Sequence, residues 1–275
     1  SASRPTRRGG GPATMDEAAA FTGLLAVVHG LAFYGPILWL TANQERLEKY
    51  ATVKDKEGRQ VLTPDPLLRK AYAEVGIAQA VAPVLSYALW PVFAFFGSTV
   101  FGPLPPLWVW ARDMAVAFVV NEFGFYWAHR LLHHRSIYKY IHRQHHEFKV
   151  NSHGISAEYA HPLEEVVANF LPTVLGPMLL GSHAVVVALW VALRTVQAVE
   201  AHSGLELPWS PFNCFGRFTL TQQAHLFHHK ENVGMFGAFT NIPDALFGSD
   251  GHYHRWVQRR EEAKAAPSGG GEKLD

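Results

Sequence analysis

The chain has 275 residues, a formal net charge of +1, 48% hydrophobic and 17% charged residues, and a single cysteine, Cys214. That length suits one domain with appendages, and the charge balance gives no argument for a nucleic-acid partner. One thiol excludes an internal disulfide and a thiolate metal site.

Residues 1–20 read as a disordered leader, 21–258 as a single domain and 259–275 as a flexible tail. The stretch from Ser1 to Thr14 has no periodicity, contains Arg and Ser but no acid, and fits a processed organellar leader. Phe21 to Leu40 is apolar apart from His29 and Gly35-Pro36, and about 20 such residues suffice to cross a bilayer. Residues 43–75 form a polar connector broken by Thr63-Pro-Asp-Pro66. Ile77 to Phe101 then runs 25 residues without a charge. Leu107 to Trp127 is a third apolar segment, but it carries Arg112, Asp113, Asn121 and Glu122.

A polar, His-rich unit spans 128–165, and Val166 to Val199 is apolar again. Pro172, Gly176-Pro177 and Gly181-Ser182-His183 interrupt that last stretch. About 34 residues of unbroken helix would overshoot a bilayer, so two shorter helices in a hairpin are expected. A second polar unit runs from about 200 to 258. The predicted fold is therefore all-α: an integral membrane helical bundle of about four transmembrane helices, two of them a hairpin. Because the hairpin returns the chain to the side it left, both polar units form a His-rich cap on one membrane face.

Thirteen of the sixteen histidines lie between residues 129 and 229. They include His129-Arg-Leu-Leu-His133-His134, His142-Arg-Gln-His145-His146 and His225-Leu-Phe-His228-His229. Residues three or four apart share a helix face, so each box presents several imidazoles in one direction. Neutral imidazole is a common ligand for zinc, copper, iron and nickel. A catalytic zinc needs only three protein ligands and a structural one four, so eight or more convergent rings point to two metal ions in one pocket. Glu122 lies two helical turns before His129. A carboxylate within a membrane segment is costly and faces a cavity or a partner, which makes Glu122 a candidate for holding an imidazole from behind. The alternative is a helix-end residue facing lipid headgroups.

These motifs, in order, resemble the membrane fatty acid hydroxylase superfamily, and within it the 4-methylsterol oxidases. The strings are His-Arg-Leu-Leu-His-His (129–134), Tyr-Lys-Tyr-Ile-His-Arg-Gln-His-His-Glu-Phe (138–148) and Ala-Glu-Tyr-Ala-His-Pro-Leu-Glu (157–164). They continue with Val-Glu-Ala-His-Ser-Gly (199–204), Pro-Trp-Ser (208–210), His-x-x-His-His (225–229) and Asp244-x-x-Phe-Gly248. They cover about 120 residues; N-terminal to residue 107 only the hydrophobic profile matches. The resemblance implies a non-haem di-iron centre with His129, His133, His142, His145, His146, His161, His202, His225, His228 and His229 as ligands. It leaves out His134, His153, His183, His252 and His254. Two departures stand out. The family's third box has Asp where this chain has Leu226, and its Gly-Asn-Tyr is here Gly234-Met235-Phe236.

The activity so implied is O2-dependent monooxygenation of a lipid C–H bond, with methyl oxidation of a 4-methylsterol foremost. Alternatives are hydroxylation of another lipid (a sterol side chain, fatty acid, sphingoid base or carotenoid) or a non-catalytic membrane subunit that keeps the fold. Two Fe ions are the expected cofactor. Zinc can replace them in a preparation but cannot perform redox chemistry. No dinucleotide or phosphate-binding motif and no cysteine set for an iron–sulfur cluster is present. Electrons are therefore expected from a small cytochrome b type protein or ferredoxin and its reductase. Arg130, Arg135, Lys139 and Arg143 offer a positive face for such a donor, or a cationic flank for the membrane. The endoplasmic reticulum is the expected compartment, with a plastid membrane as the alternative.

Overall fold

The computed structural model describes residues 14–150 and 153–265. Most of the expected leader (1–13) and the end of the expected tail (266–275) lie outside the described residues. Helix α1 (Met15–Ala42) begins inside the segment read as leader. Thr14 caps it: its hydroxyl accepts from Glu17 N at 3.2 Å, and the Glu17 carboxylate accepts from Thr14 N at 3.1 Å. This reciprocal box satisfies two otherwise orphaned amides and starts the helix six residues before Phe21.

The connector folds back as a single turn, Gln44–Leu47, and short bridges pair Ala51 with Leu205 and Lys54 with Gln60. Helix α2 (Asp65–Phe95) begins well before the uncharged run, because Pro66 sits in the first turn where its missing N–H costs no hydrogen bond. Helix α3 (Leu107–Leu132) covers the third apolar segment and carries the first His box at its C-terminal end.

The expected hairpin is present, but it breaks at one place only. After Pro162–Glu164 a π-helical turn, Glu165–Phe170, leads into α4 (Leu171–Leu179). Pro172 has no N–H to return to the preceding turn, and a widened turn accommodates this. The chain reverses at residues 180–183 and continues as α5 (Ala184–Ala201). Three shorter helices follow: α6 (Gln222–Glu231), α7 (Ile242–Phe247) and α8 (Gly251–Ala265). Helix α8 takes in residues 259–265 of the expected flexible tail. Among the described residues there is no β-sheet.

Helix α1 packs against α2 and α5, while α3 packs against α4. Phe21, Trp90, Phe93 and Val187 fill one part of the core, and Phe33, Ile37, Phe148, Ile155 and Val199 another. Helices α1, α2 and α5 are each long and apolar enough to cross a membrane. Val27, Leu31 and Leu38 on α1 and Ile77, Val81 and Val84 on α2 are exposed. An apolar surface of this extent on two long neighbouring helices suits acyl chains rather than water. Helix α3 buries Asp113, Asn121 and Glu122 instead. Since the α4–α5 hairpin returns the chain to its starting side, the C-terminal ends of α3 and α5 lie at the same end of the bundle. The polar segments after them close over that end.

A candidate metal centre of nine imidazoles

The His boxes meet under this cap and sort into two groups. His129, His133, His142, His146 and His228 place one ring nitrogen each within 4.8 Å of one another, and so do His145, His202, His225 and His229. His129 and His133 come from the end of α3. His142, His145 and His146 belong to the turns that follow, His202 caps α5, and the last three lie on α6. Helix α6 is anchored by Thr221, whose hydroxyl accepts from Ala224 N at 3.2 Å, and ends at Asn232 in a left-handed conformation. The neighbours His145 and His146 go to different groups, as do His228 and His229.

What turns the rings inward is a set of acceptors behind them. The Nδ1 atoms of His129, His145, His146, His202 and His228 face the carbonyls of Phe236, Tyr159, His229, Ala198 and Gly234 at 3.1, 3.3, 3.4, 2.7 and 2.7 Å. A carbonyl only accepts, so each Nδ1 carries the proton and each Nε2 of the neutral ring is a bare lone pair. His142 Nδ1 faces the Glu164 carboxylate, Oε1, at 2.7 Å. The Nε2 atoms then approach closely: 3.4 Å between His145 and His202, 3.0 Å between His142 and His146, and 2.9 Å between His133 and His142. Further separations of 3.0 Å join His202 to His225 and His225 to His229.

No proton is available between His145 Nε2 and His202 Nε2, so their mutual approach is repulsive unless a cation lies between them. Metal–imidazole bonds of about 2.0–2.1 Å place neighbouring nitrogens roughly 3.0 Å apart at right angles and roughly 3.4 Å apart in a tetrahedron. The observed spacings fit that range. In addition, His129 Nε2, His228 Nε2 and His229 Nδ1 are buried without any hydrogen-bond partner. Orphaned polar atoms of this kind are rare in a folded core. Nine imidazoles so arranged fit two metal ions.

Burial holds the rings uncharged. It lowers His133 and His145 from 6.5 to about 4 and His202 to about 3, with the neighbouring His145 adding to the effect on His133 and His202. His142, His146, His225, His228 and His229 are likewise depressed, first by burial and then by their histidine neighbours. Burial also raises Glu164, with Glu165 adding to it.

Nine of the ten histidines expected as ligands fall in these groups, and His161 does not. Its Nδ1 accepts from Leu163 N at 3.2 Å and caps the turn Pro162–Glu164. Glu122 also behaves differently from expectation, because it touches backbone rather than an imidazole. Its Oε1 accepts from Phe239 N at 2.8 Å, and its Oε2 from Thr240 N at 3.0 Å and Thr240 Oγ1 at 2.6 Å. Asp244 accepts from Phe236 N at 2.8 Å and Gly237 N at 2.9 Å. The two acids clasp the loop whose carbonyls at Gly234 and Phe236 orient His228 and His129. Within it Met235, in place of the family's Asn, adopts φ +55°, a region that Asn tolerates and Met rarely enters. The clasp holds that strained turn in place.

Glu164 is the carboxylate that holds an imidazole of the clusters, a role that no local sequence signal marks. It ends the Ala157–Glu164 string, but its partner His142 is 22 residues away and only the folded chain joins them. Of the histidines set aside, His134 is exposed, while His153 and His183 cap the turn at Gly154 and helix α5. All three lie outside both groups.

Comparison with known proteins agrees with this picture. The family profile for fatty acid hydroxylase matches residues 114–249, the span that contains every clustered histidine. Methylsterol monooxygenase 2-1 of Arabidopsis thaliana is 35% identical over 191 residues, covering 64% of this chain and 70% of that protein. A very-long-chain aldehyde decarbonylase of Oryza sativa subsp. indica is 39% identical over 173 residues, 62% of this chain and 63% of its own length. Methylsterol monooxygenase 1 of Rattus norvegicus is 36% identical over 159 residues, 57% of this chain and 53% of its own. The chain thus spans somewhat over half to about two thirds of these relatives. No solved structure shows significant similarity.

Proposed function

The chain belongs to the fatty acid hydroxylase family, and from that premise we propose that it is a membrane-bound, O2-dependent, non-haem di-iron monooxygenase that oxidises a C–H bond of a lipid. Methyl oxidation of a 4-methylsterol is the first substrate reading, supported by the methylsterol monooxygenases among its relatives. The observation that carries the proposal is the convergence of unprotonated Nε2 atoms in two groups.

The ions would be held by His129, His133, His142, His146 and His228 on one side, and by His145, His202, His225 and His229 on the other. Bound there, iron would supply the change of redox state and the dioxygen activation that zinc cannot. The protein's contribution is orientation and exclusion. Six Nδ1 acceptors fix the tautomer and angle of their rings. Phe236 packs against His129, His133 and His228 at ring separations of 5.6, 5.1 and 5.5 Å, and Tyr138 covers His133, His142 and His146. These rings keep water from the first group, where stray protons and solvent would divert an oxidant. Arg130, Arg135, Lys139 and Arg143 are all exposed near the cap and are proposed to steer an acidic electron donor, a cytochrome b type protein or ferredoxin. We assign the protein to the endoplasmic reticulum membrane on the sterol reading.

A second reading, favoured by the relative named an aldehyde decarbonylase, is that the substrate is a very-long-chain aldehyde. Expression in a yeast lacking its methylsterol oxidase separates the two. The sterol reading expects the accumulated 4-methylsterols to fall, and an unchanged sterol profile with altered long-chain aldehydes would favour the second. Purified protein with no iron, and no oxygen uptake on reduction, would defeat both.

A further inference from the structure

His29 stands apart from the His boxes, in the apolar run of membrane helix α1. An ionisable side chain in a membrane helix is costly and calls for a partner. Its Nε2 donates to Glu158 Oε1 at 2.6 Å, and the other oxygen, Oε2, accepts from Gln79 Nε2 of α2 at 2.7 Å. Glu158 is thus gripped by one donor from each of two membrane helices, with 13% of its side chain exposed. Glu165 and Arg194 act on the same place through their charges.

Glu158 ends the short turn Gly154–Glu158, and the next residue is Tyr159, whose carbonyl lies 3.3 Å from His145 Nδ1. The turn is pressed onto the bundle. A Cβ on Gly154 would stand 2.8 Å from Val199 Cγ1 of α5 and 3.0 Å from Ile37 Cγ1 of α1. Beyond the turn, the Tyr159 hydroxyl donates to Glu147 Oε2 at 2.8 Å, and Lys70 Nζ of α2 donates to the same oxygen at 2.9 Å. The backing of His145 is therefore built by α1 and α2, helices that carry none of the His boxes.

Apolar packing holds the turn in place but is non-directional. Hydrogen bonds to both oxygens of one carboxylate are directional, and they fix the chain one residue before the carbonyl that His145 faces.

We propose that His29 and Gln79 are positioning residues of the second imidazole group: by holding Glu158 they set the Tyr159 carbonyl behind His145 and so aim its Nε2 toward His202. This rests on the reading of the histidines as a metal centre but is tested apart from lipid oxidation. Full-length protein in nanodiscs is loaded with cobalt(II), whose visible absorption reports ligand geometry, and is then dialysed against graded chelator. His29→Leu suits the apolar helix and leaves Glu158 with Gln79 alone.

At saturating cobalt the spectrum of His29→Leu is expected to differ from wild type. Its retention of cobalt is expected to be about tenfold weaker, the lower end of what loss of a ligand's support costs. His29→Gln keeps a donor and is expected to restore the wild-type spectrum and most of the retention. A wild-type spectrum and retention in His29→Leu overturn the proposal, even if its melting temperature falls, because the pair then only stabilises the fold. Equal changes in His29→Gln overturn it too, since the lost donor would not be their cause. If His29→Leu does not accumulate, Gln79→Leu is read the same way, and wild-type behaviour there overturns it. Wild-type protein that takes up no cobalt would instead defeat the metal-centre reading, and this proposal with it.

Discussion

His142 Nδ1 lies 2.7 Å from Glu164 Oε1, and both side chains are buried, at 1% and 3% exposure for the residues. The carboxylate fixes the ring so that Nε2 points at His133 and His146. Glu164→Gln keeps the shape but replaces the carboxyl group that His142 Nδ1 faces with an amide, so the first group should bind metal 10–100-fold more weakly, the usual cost of removing such a support. Metal retained after dialysis against graded chelator concentrations measures this. Undiminished retention would show that Glu164 does not orient a ligand.

His228→Ala and His145→Ala each remove one imidazole from a different group. Each variant is expected to lose at least half of the bound metal, and more where the two groups load together, along with nearly all of the proposed lipid oxidation. Elemental analysis alongside product analysis checks this. Full metal content and full turnover in either variant would remove that residue from the ligand set.

Acid should strip the metal and loosen the fold together. Above pH 6.5 the imidazoles are neutral whether folded or unfolded and contribute no pH dependence. Below it the unfolded chain takes up protons that the folded core refuses, down to about pH 4 for His133 and His145. Stability therefore falls as pH falls through that window, and protonation competes with metal in the same direction. Melting of metal-depleted protein in detergent at pH 7.5, 6.0 and 5.0 should show a decreasing midpoint. A flat profile would mean that the rings are not held neutral.

The loop at 234–240 depends on Asp244, which is fully buried and accepts two backbone amides. Asp244→Ala leaves both unsatisfied, at about 1–3 kcal/mol each, and frees the Phe236 carbonyl behind His129. A lower melting temperature and weaker metal retention are expected together. Loss of stability alone, with metal retention unchanged, would separate the loop from the site.

Gly176 marks a close approach of α4 to α3. A Cβ there would stand 2.9 Å from the Ala117 Cα, so Gly176→Ala must push two backbones apart, in an interface where small residues permit close packing. A melting temperature several degrees lower is expected; an unchanged one would mean that the helices are not in contact at this point.

Much of this arrangement is legible in the sequence, because its signals are local. Spacing of three and four residues sets imidazoles on shared faces, and the uncharged runs mark the membrane helices. What escapes is what depends on chain segments meeting. Glu164 and His142 pair across a reversal, and the Glu122 carboxylate reaches a loop 117 residues away rather than the ring two turns along its own helix. His161 shows the opposite limit, since a motif places it among ligands while the local turn uses its ring as a cap. The carbonyls behind five of the rings are backbone atoms and have no residue signature at all.

Two dipeptides, 145–146 and 228–229, each give one ring to either group, and the carbonyl of His229 in one group orients His146 in the other. Loading the protein is thus expected to be nearly all-or-none: the first ion to arrive immobilises the peptide units that carry ligands for the second, so half-filled molecules should be scarce during assembly.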